Sequence, residues 1–157
     1  MRITLHPRTE DHVRIYFERT QKEIIRRMIP SSASCLEQAL AMFARTQEPG
    51  ATSFGRTVYA DGAYVGDVWC FGMDAQDTPQ AMLSYCLFEE DCWGKGVATE
   101  AVRLFLTELA EGFGLTCIGA HTWADNTASC RVLEKCGFLL TEEGADEGRA
   151  WRYYQRG

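Results

Sequence analysis

The sequence predicts an α/β (α+β) fold, one domain over residues 1–157 built around a mixed central sheet. Three observations predict it. Strand-like and helix-period runs alternate in the order β-α-α-β-β-β-α-β-α-β-β. An Asp61-Gly62 link joins two β-rich runs, the signal of a tight antiparallel hairpin, because both turn residues must take positive φ. Residues 81–88 form a nearly continuous apolar run and read as a central strand.

Residues 2–6 are a short strand stopped by Pro7. Thr9 is placed to cap a helix, with Glu10 and Asp11 in its positive first turn. Val13, Phe17, Ile24, Ile25 and Met28 supply a buried stripe, in one or two pieces, ending before Pro30. Ser34 and Glu37 make a capping-box pattern for a second helix that carries Leu36, Leu40 and Phe43 and closes at Gly50. Residues 52–60 and 63–71 are the hairpin arms, and 72–79 are a loop.

After the strand at 81–88, Val97, Ala101, Leu104, Phe105 and Leu109 repeat at helical spacing up to Gly112. Residues 115–122 read as a strand and 127–136 as a short helix. Gly137 is its left-handed stop, and Phe138 packs back on Leu133. Residues 138–142 and 150–155 read as two final strands.

Composition narrows the function classes. A chain of 157 residues with 46% hydrophobic and 24% charged side chains suits one globular core. The net charge of −6 with no Lys/Arg-rich run argues against nucleic acid and anionic membranes as partners. No charged-then-apolar leader is visible, and no apolar run approaches the roughly 20 residues of a membrane span. Seven cysteines without such a leader read as reduced thiols in a cytoplasmic protein. With three histidines and no Cys-x-x-Cys, no metal site is expected. The sequence leaves room for a homodimer.

The stretch CWGKGVATEAVRLFL, residues 92–106, places two glycines around Lys95 at a helix doorway. Helix N-termini carry unpartnered N–H groups and about half a positive charge, and glycines let an anion reach them. The alternative is a plain turn. The stretch lacks the Gly-Lys-Ser/Thr of a Walker loop, and Thr99 stands where a dinucleotide fingerprint has its last glycine. A second constellation, DNTASCRVLEKCGF at 125–138, follows a strand and sets Asn126 and Ser129 on one side of a helix. A cap followed by a surface serine is the alternative there.

Together and in this order, WGKGVATEA and NTASCRVLEKCGF resemble the GNAT superfamily of acyl-CoA N-acyltransferases, on the side of the ribosomal-protein-alanine N-acetyltransferases. Trp93 stands where many members carry Gln or Arg. The resemblance implies two strands splayed around the pantetheine arm of acetyl-CoA, the cosubstrate, with backbone near Leu87 and Phe88 against the arm and thioester. It implies that Trp93, Gly94, Lys95, Gly96, Val97, Ala98 and Thr99 form the pyrophosphate loop. Asn126 would bond the arm, and Ser129 would approach the sulfur. A strand N–H would hold the developing oxyanion. Many members carry an acid tyrosine on the last helix; here that place holds Leu133, which leaves Ser129.

The resemblance implies acetyl transfer to a primary amine by direct attack in a ternary complex. The acceptor would be an amine-bearing small molecule or a protein N-terminus. A primary amine with pKa about 10.4 is only about 1 part in 2,500 neutral at pH 7, a handicap of about 4.6 kcal/mol, so it needs a base or desolvation. The glutamate that some relatives carry on the strand at 81–88 is absent. Asp67 and His121 are the candidate bases or acceptor anchors; the competing readings are an Asp on a solvent face and a His merely packed or hydrogen-bonded. Trp69, Trp123, Tyr16, Phe17 and Arg27 are candidates to wall the acceptor site. Two rival readings stay open: a non-catalytic acyl-CoA sensor, and a mononucleotide-binding enzyme using the same glycine turn.

Overall fold

The computed structural model describes residues 1–29 and 33–157. Its elements run β1 (Ile3–Pro7), α1 (Glu10–Arg19), α2 (Glu23–Arg26), α3 (Leu36–Thr46), β2 (Phe54–Ala60), β3 (Ala63–Phe71), β4 (Ala81–Leu87), α4 (Val97–Phe113), β5 (Ile118–Trp123), α5 (Thr127–Lys135), β6 (Leu139–Asp146) and β7 (Arg149–Arg156). The seven strands form one sheet in the order β1-β2-β3-β4-β5-β7-β6. All neighbours are antiparallel except β4 and β5.

Local chemistry sets most of these elements. Thr9 caps α1 through His12 N–H, and the His12 ring accepts from Thr9 N–H, so a histidine completes the capping box. Asp61 and Gly62 both take positive φ and turn β2 into β3. Gly137 is left-handed at φ 86°, and Phe138 N–H reaches back to the Leu133 carbonyl to close α5.

Several expectations are corrected. The first apolar stripe divides into α1 and α2; Val13 and Ile25 are buried, but Ile24 is exposed because it falls on the outer side of α2's single turn. The expected stop at Pro30 lies outside the described residues. Cys35 precedes α3 without a side-chain cap, since Ser34 bonds the Gln38 side chain instead of forming a box with Glu37. Helix α4 runs through Gly112 and stops at Gly114, whose φ of 69° makes it the left-handed C-cap. Strand β5 starts three residues later than expected, and β6 runs four residues further than expected, to Asp146.

The main core lies between the sheet and α4 with α5, and includes Val68, Leu83, Phe105, Leu109, Ile118, Leu133 and Phe138. A smaller cluster of Ile25, Cys86 and Phe88 lies on the other face, under α1 and α2. Strand alternation therefore divides β4: Leu83, Tyr85 and Leu87 turn towards α4 and α5, whereas Ser84 and Cys86 turn towards α1 to α3.

Candidate functional site

The site begins where the sheet opens. Parallel β4 and β5 pair only at Ala81–Ile118 and Met82–Gly119. Beyond those two rungs the strands diverge. Tyr153 lies against Gly119, where any Cβ would meet its hydroxyl and the Met82 sulfur, so the closed end of the opening is sealed on one face. Continued in register, the pairing would set Ser84 opposite His121 on that same face.

At the open end, Phe88 N–H donates to the Val65 carbonyl at 2.9 Å. Gly66 and Leu87 are Cα partners one step earlier, so Leu87 directs its own N–H and carbonyl away from β3. The Trp93 indole donates to that Leu87 carbonyl at 2.9 Å and ties the glycine loop to the strand end. Of the two backbone positions expected to face the arm, Phe88 N–H is therefore committed to the sheet, and Leu87 N–H is the one turned outward. Gly66 lets the strands approach: a Cβ there would overlap the Cys86 carbonyl and Leu87.

The loop then delivers α4. Gly94 and Gly96 are left-handed, with φ 72° and 80°, and nothing lies within 4 Å of where their Cβ atoms would sit. Gly96 occupies the N-cap position and supplies no side-chain bond, so the amides of Val97, Ala98 and Thr99 are left to a ligand or solvent. Gly94, Lys95 and Gly96 are exposed, while the Val97 and Thr99 side chains are buried and hold the turn against the core. Glu90 turns to Lys22 at 3.7 Å, away from the loop.

On the other side of the opening, the Asn126 side-chain carbonyl accepts from Ser129 N–H at 3.2 Å, capping α5. That use leaves Asn126's amide N–H groups as its outward donors. Ser129 Oγ lies 2.8 Å from the Tyr85 hydroxyl, which also reaches the Ser129 carbonyl at 3.3 Å. This pair spans the divergence from β4 to α5. Burial pushes the Tyr85 phenol above its ordinary pKa, with the bond to Ser129 opposing, so Tyr85 stays protonated across the physiological range. Tyr85 was not among the residues expected from the sequence; its place in an apolar run hid it. Leu133 is buried in the core and can donate nothing.

Asp67 and His121 both face the α1–α3 side but do not contact each other among the described residues. Asp67 is 1% exposed and accepts from the Tyr64 hydroxyl at 2.7 Å. Arg8 Nε sits 3.0 Å from Asp67 Oδ2, yet neither atom makes a well-directed hydrogen bond. Burial raises the Asp67 pKa to about 6 against the opposing pull of Arg8 and Tyr64. The Tyr16 hydroxyl is buried beside the Cys86 thiol without a well-formed bond, and burial raises its pKa too. His121 is exposed, with its ring 4.9 Å from Tyr153 and 5.6 Å from Trp151.

Between α1, α3 and strands β2–β4 lies a cavity of about 780 Å³. Tyr16, Phe17 and Trp69 line it, and Ser84 brings it to β4. Trp123 instead packs under the Arg149 guanidinium, 4.2 Å away, and Arg27 contributes its carbonyl to Arg149. All seven cysteines are unpaired, and five are buried. Among the described residues no cluster of His, Cys, Asp or Glu could hold a metal ion.

The model of the acetyltransferase (GNAT) domain matches residues 2–139. The chain belongs to the GNAT acetyltransferase family. A human relative, alpha/beta-tubulin-N-acetyltransferase 9, is 30% identical over 156 residues, covering 87% of this chain and 72% of its own. The GNAT fold recurs in a spermidine N-acetyltransferase chimera from Vibrio cholerae and hSSAT, with TM-score 0.84, 13% identity, and 99% and 95% of the two chains covered. The ribosomal-protein-S5-alanine acetyltransferase of Vibrio fischeri gives 0.82 at 15% identity, over 99% and 93%. An aminoglycoside acetyltransferase solved with an aminoglycoside and acetyl-CoA gives 0.81 at 17%, over 99% and 93%. At such identities these structures attest the fold alone. No helix among the described residues is long and apolar enough to cross a membrane.

Proposed function

We propose that this GNAT protein transfers acetyl from acetyl-CoA to a primary amine by direct attack in a ternary complex. The observation that carries this reading is the conjunction of an uncapped, left-handed glycine doorway to α4 with a sheet that opens beside it. The amides of residues 94–99 bind the pyrophosphate, and Lys95 adds a full charge. Asn126 donates its amide N–H to the pantetheine arm. Leu87 N–H, turned out of the sheet, holds the oxyanion that develops on the thioester carbonyl.

Ser129 donates a hydrogen bond to the departing sulfur, which takes its proton from solvent. In the arrangement where the Tyr85 O–H donates to the Ser129 oxygen, 2.8 Å away, the Ser129 hydrogen is left to point into the opening. A thiol of pKa about 8.5 is an easy leaving group, so this pair contributes roughly one neutral hydrogen bond, about 0.5–1.5 kcal/mol. His121, exposed across from Ser84, accepts the amine proton. Asp67 is too enclosed to meet substrate directly and holds Arg8 and Tyr64 under the acceptor cavity.

Two measurements test the proposal. CoA at about 100 times its dissociation constant should stabilise the protein by roughly 2.7 kcal/mol. ATP or NAD stabilising in place of CoA would overturn it in favour of a nucleotide enzyme. Acetyl-CoA turnover with an amine panel then separates an enzyme from a sensor that only binds.

A further inference from the structure

Resting on that transferase reading, we infer that the acceptor is the α-amino group of a peptide whose first side chain is large and apolar. The cavity beside β4 supports this through its walls. Its aromatic and aliphatic lining includes Val13, Phe17, Phe43, Trp69 and Phe71, on both the helix and the sheet sides. Helix α3 has no fully buried residue although its sequence carries an apolar face, because that face looks into the cavity. The space is ready for an apolar group that the chain does not itself supply.

Charge points the same way. The chain carries 22 acidic residues, yet no aspartate or glutamate lines the cavity among the described residues. Three arginines do: Arg8, Arg45 and Arg56. Arg8 is held by Asp67 and Arg56 by Glu108, while Arg45 has no carboxylate partner among the described residues. A polyamine or an aminoglycoside brings several ammonium groups and needs carboxylates to replace their water. These walls offer none.

The acid–base chemistry agrees independently. The enclosed carboxylate nearest the cavity, Asp67, is already committed to Tyr64 and Arg8. With its carboxylate engaged and His121 left as the candidate base, the site suits an amine that is neutral without much help. An α-amine with pKa about 7.8 is neutral in about one molecule in seven at pH 7, against about one in 2,500 for an alkylamine. The amine nitrogen attacks the thioester carbon, the C–S bond breaks, the nitrogen's proton leaves through His121 or water, and the thiolate, held by the Ser129 hydroxyl, takes a proton back from solvent. The Ser84 hydroxyl at the cavity edge, without a hydrogen-bond partner among the described residues, anchors the incoming N–H.

The test uses the full chain, acetyl-CoA, and thiol release as readout. The acceptors are short peptides beginning with Met, Leu, Ser or Asp, together with spermidine and kanamycin. The Met- and Leu-initiated peptides should exceed the Ser-initiated one in kcat/KM by at least about tenfold, as burial of two or three extra methylene-sized groups implies. Both polycations should fall below them. Phe43→Glu, which puts a carboxylate on the wall, should lower the Met-peptide rate and raise that of spermidine. Equal use of all first residues, or spermidine or kanamycin as the best acceptor, overturns the inference. No turnover of any acceptor with CoA still bound overturns it while sparing the cofactor site; no CoA binding at all overturns the reading beneath it.

Discussion

Tyr85→Phe removes one oxygen from the hydroxyl pair that spans the opening. The oxygen lost makes a 2.8 Å bond to Ser129 Oγ and a 3.3 Å contact to the Ser129 carbonyl. If the pair holds the departing sulfur as a unit, the loss in kcat is that of one neutral hydrogen bond. At about 0.5–1.5 kcal/mol this is roughly 2- to 13-fold. Ser129→Ala should cost a similar factor, about tenfold or less, and KM for acetyl-CoA should change little in either variant. The decisive measurement is the double variant, because residues acting through one bond are not additive. Steady-state thiol release should find Tyr85→Phe with Ser129→Ala no slower than the worse single change. Multiplying losses, or an unchanged kcat in Tyr85→Phe, would refute the relay and leave Tyr85 as a packed phenol. A loss beyond a thousandfold in Ser129→Ala with intact folding would show that Ser129 does more than donate one bond.

Three further outcomes are expected. Gly96→Ala forces a side chain into φ 80° at a cost of about 1–2 kcal/mol, and Gly96→Val also blocks the amides; both should lose CoA affinity in titration while retaining the far-UV circular dichroism of the fold. Asp67 is raised to a pKa of about 6 from 3.8 by burial, so the native state binds the extra proton and stability should fall as pH rises through about 4 to 6. That contribution is on the order of 3 kcal/mol, and Asp67→Asn should flatten the denaturation profile across that window. Gly66→Ala drives a Cβ into the Cys86 carbonyl and Leu87, so it should lower the melting temperature and, by displacing Leu87 N–H, reduce kcat more than CoA binding.

The geometry of the glycine loop and of the α5 cap was legible because its requirements are backbone requirements. Glycine suits φ 72° and 80°, and Asn126 caps α5 in a spacing visible along the chain. The phenol at the opening was not legible. Tyr85 lies in a run read for its apolarity, and its partner is 44 residues away, brought near only by the strand divergence. Element ends failed for similar reasons: Gly112 read as a stop because glycine is a poor helix former, yet only Gly114 takes the left-handed φ that ends α4. Ser34 could pair with Glu37 or with Gln38 by spacing alone, and the structure selects Gln38.

The two rungs between β4 and β5 make the seven-stranded sheet closer to two plates on a short hinge. The β1–β4 plate carries the helices over the acceptor cavity, and the β5–β7–β6 plate carries His121. Past the hinge, the facing strand edges hold peptide groups with no strand to meet. An arm with amide groups of its own, laid between them, would act as the missing strand and join the plates. Cosubstrate arrival would then set the angle between the two walls and tighten the whole sheet. Amides from Leu83 to Leu87 and from Ala120 to Trp123 should exchange with solvent far more slowly once CoA is bound.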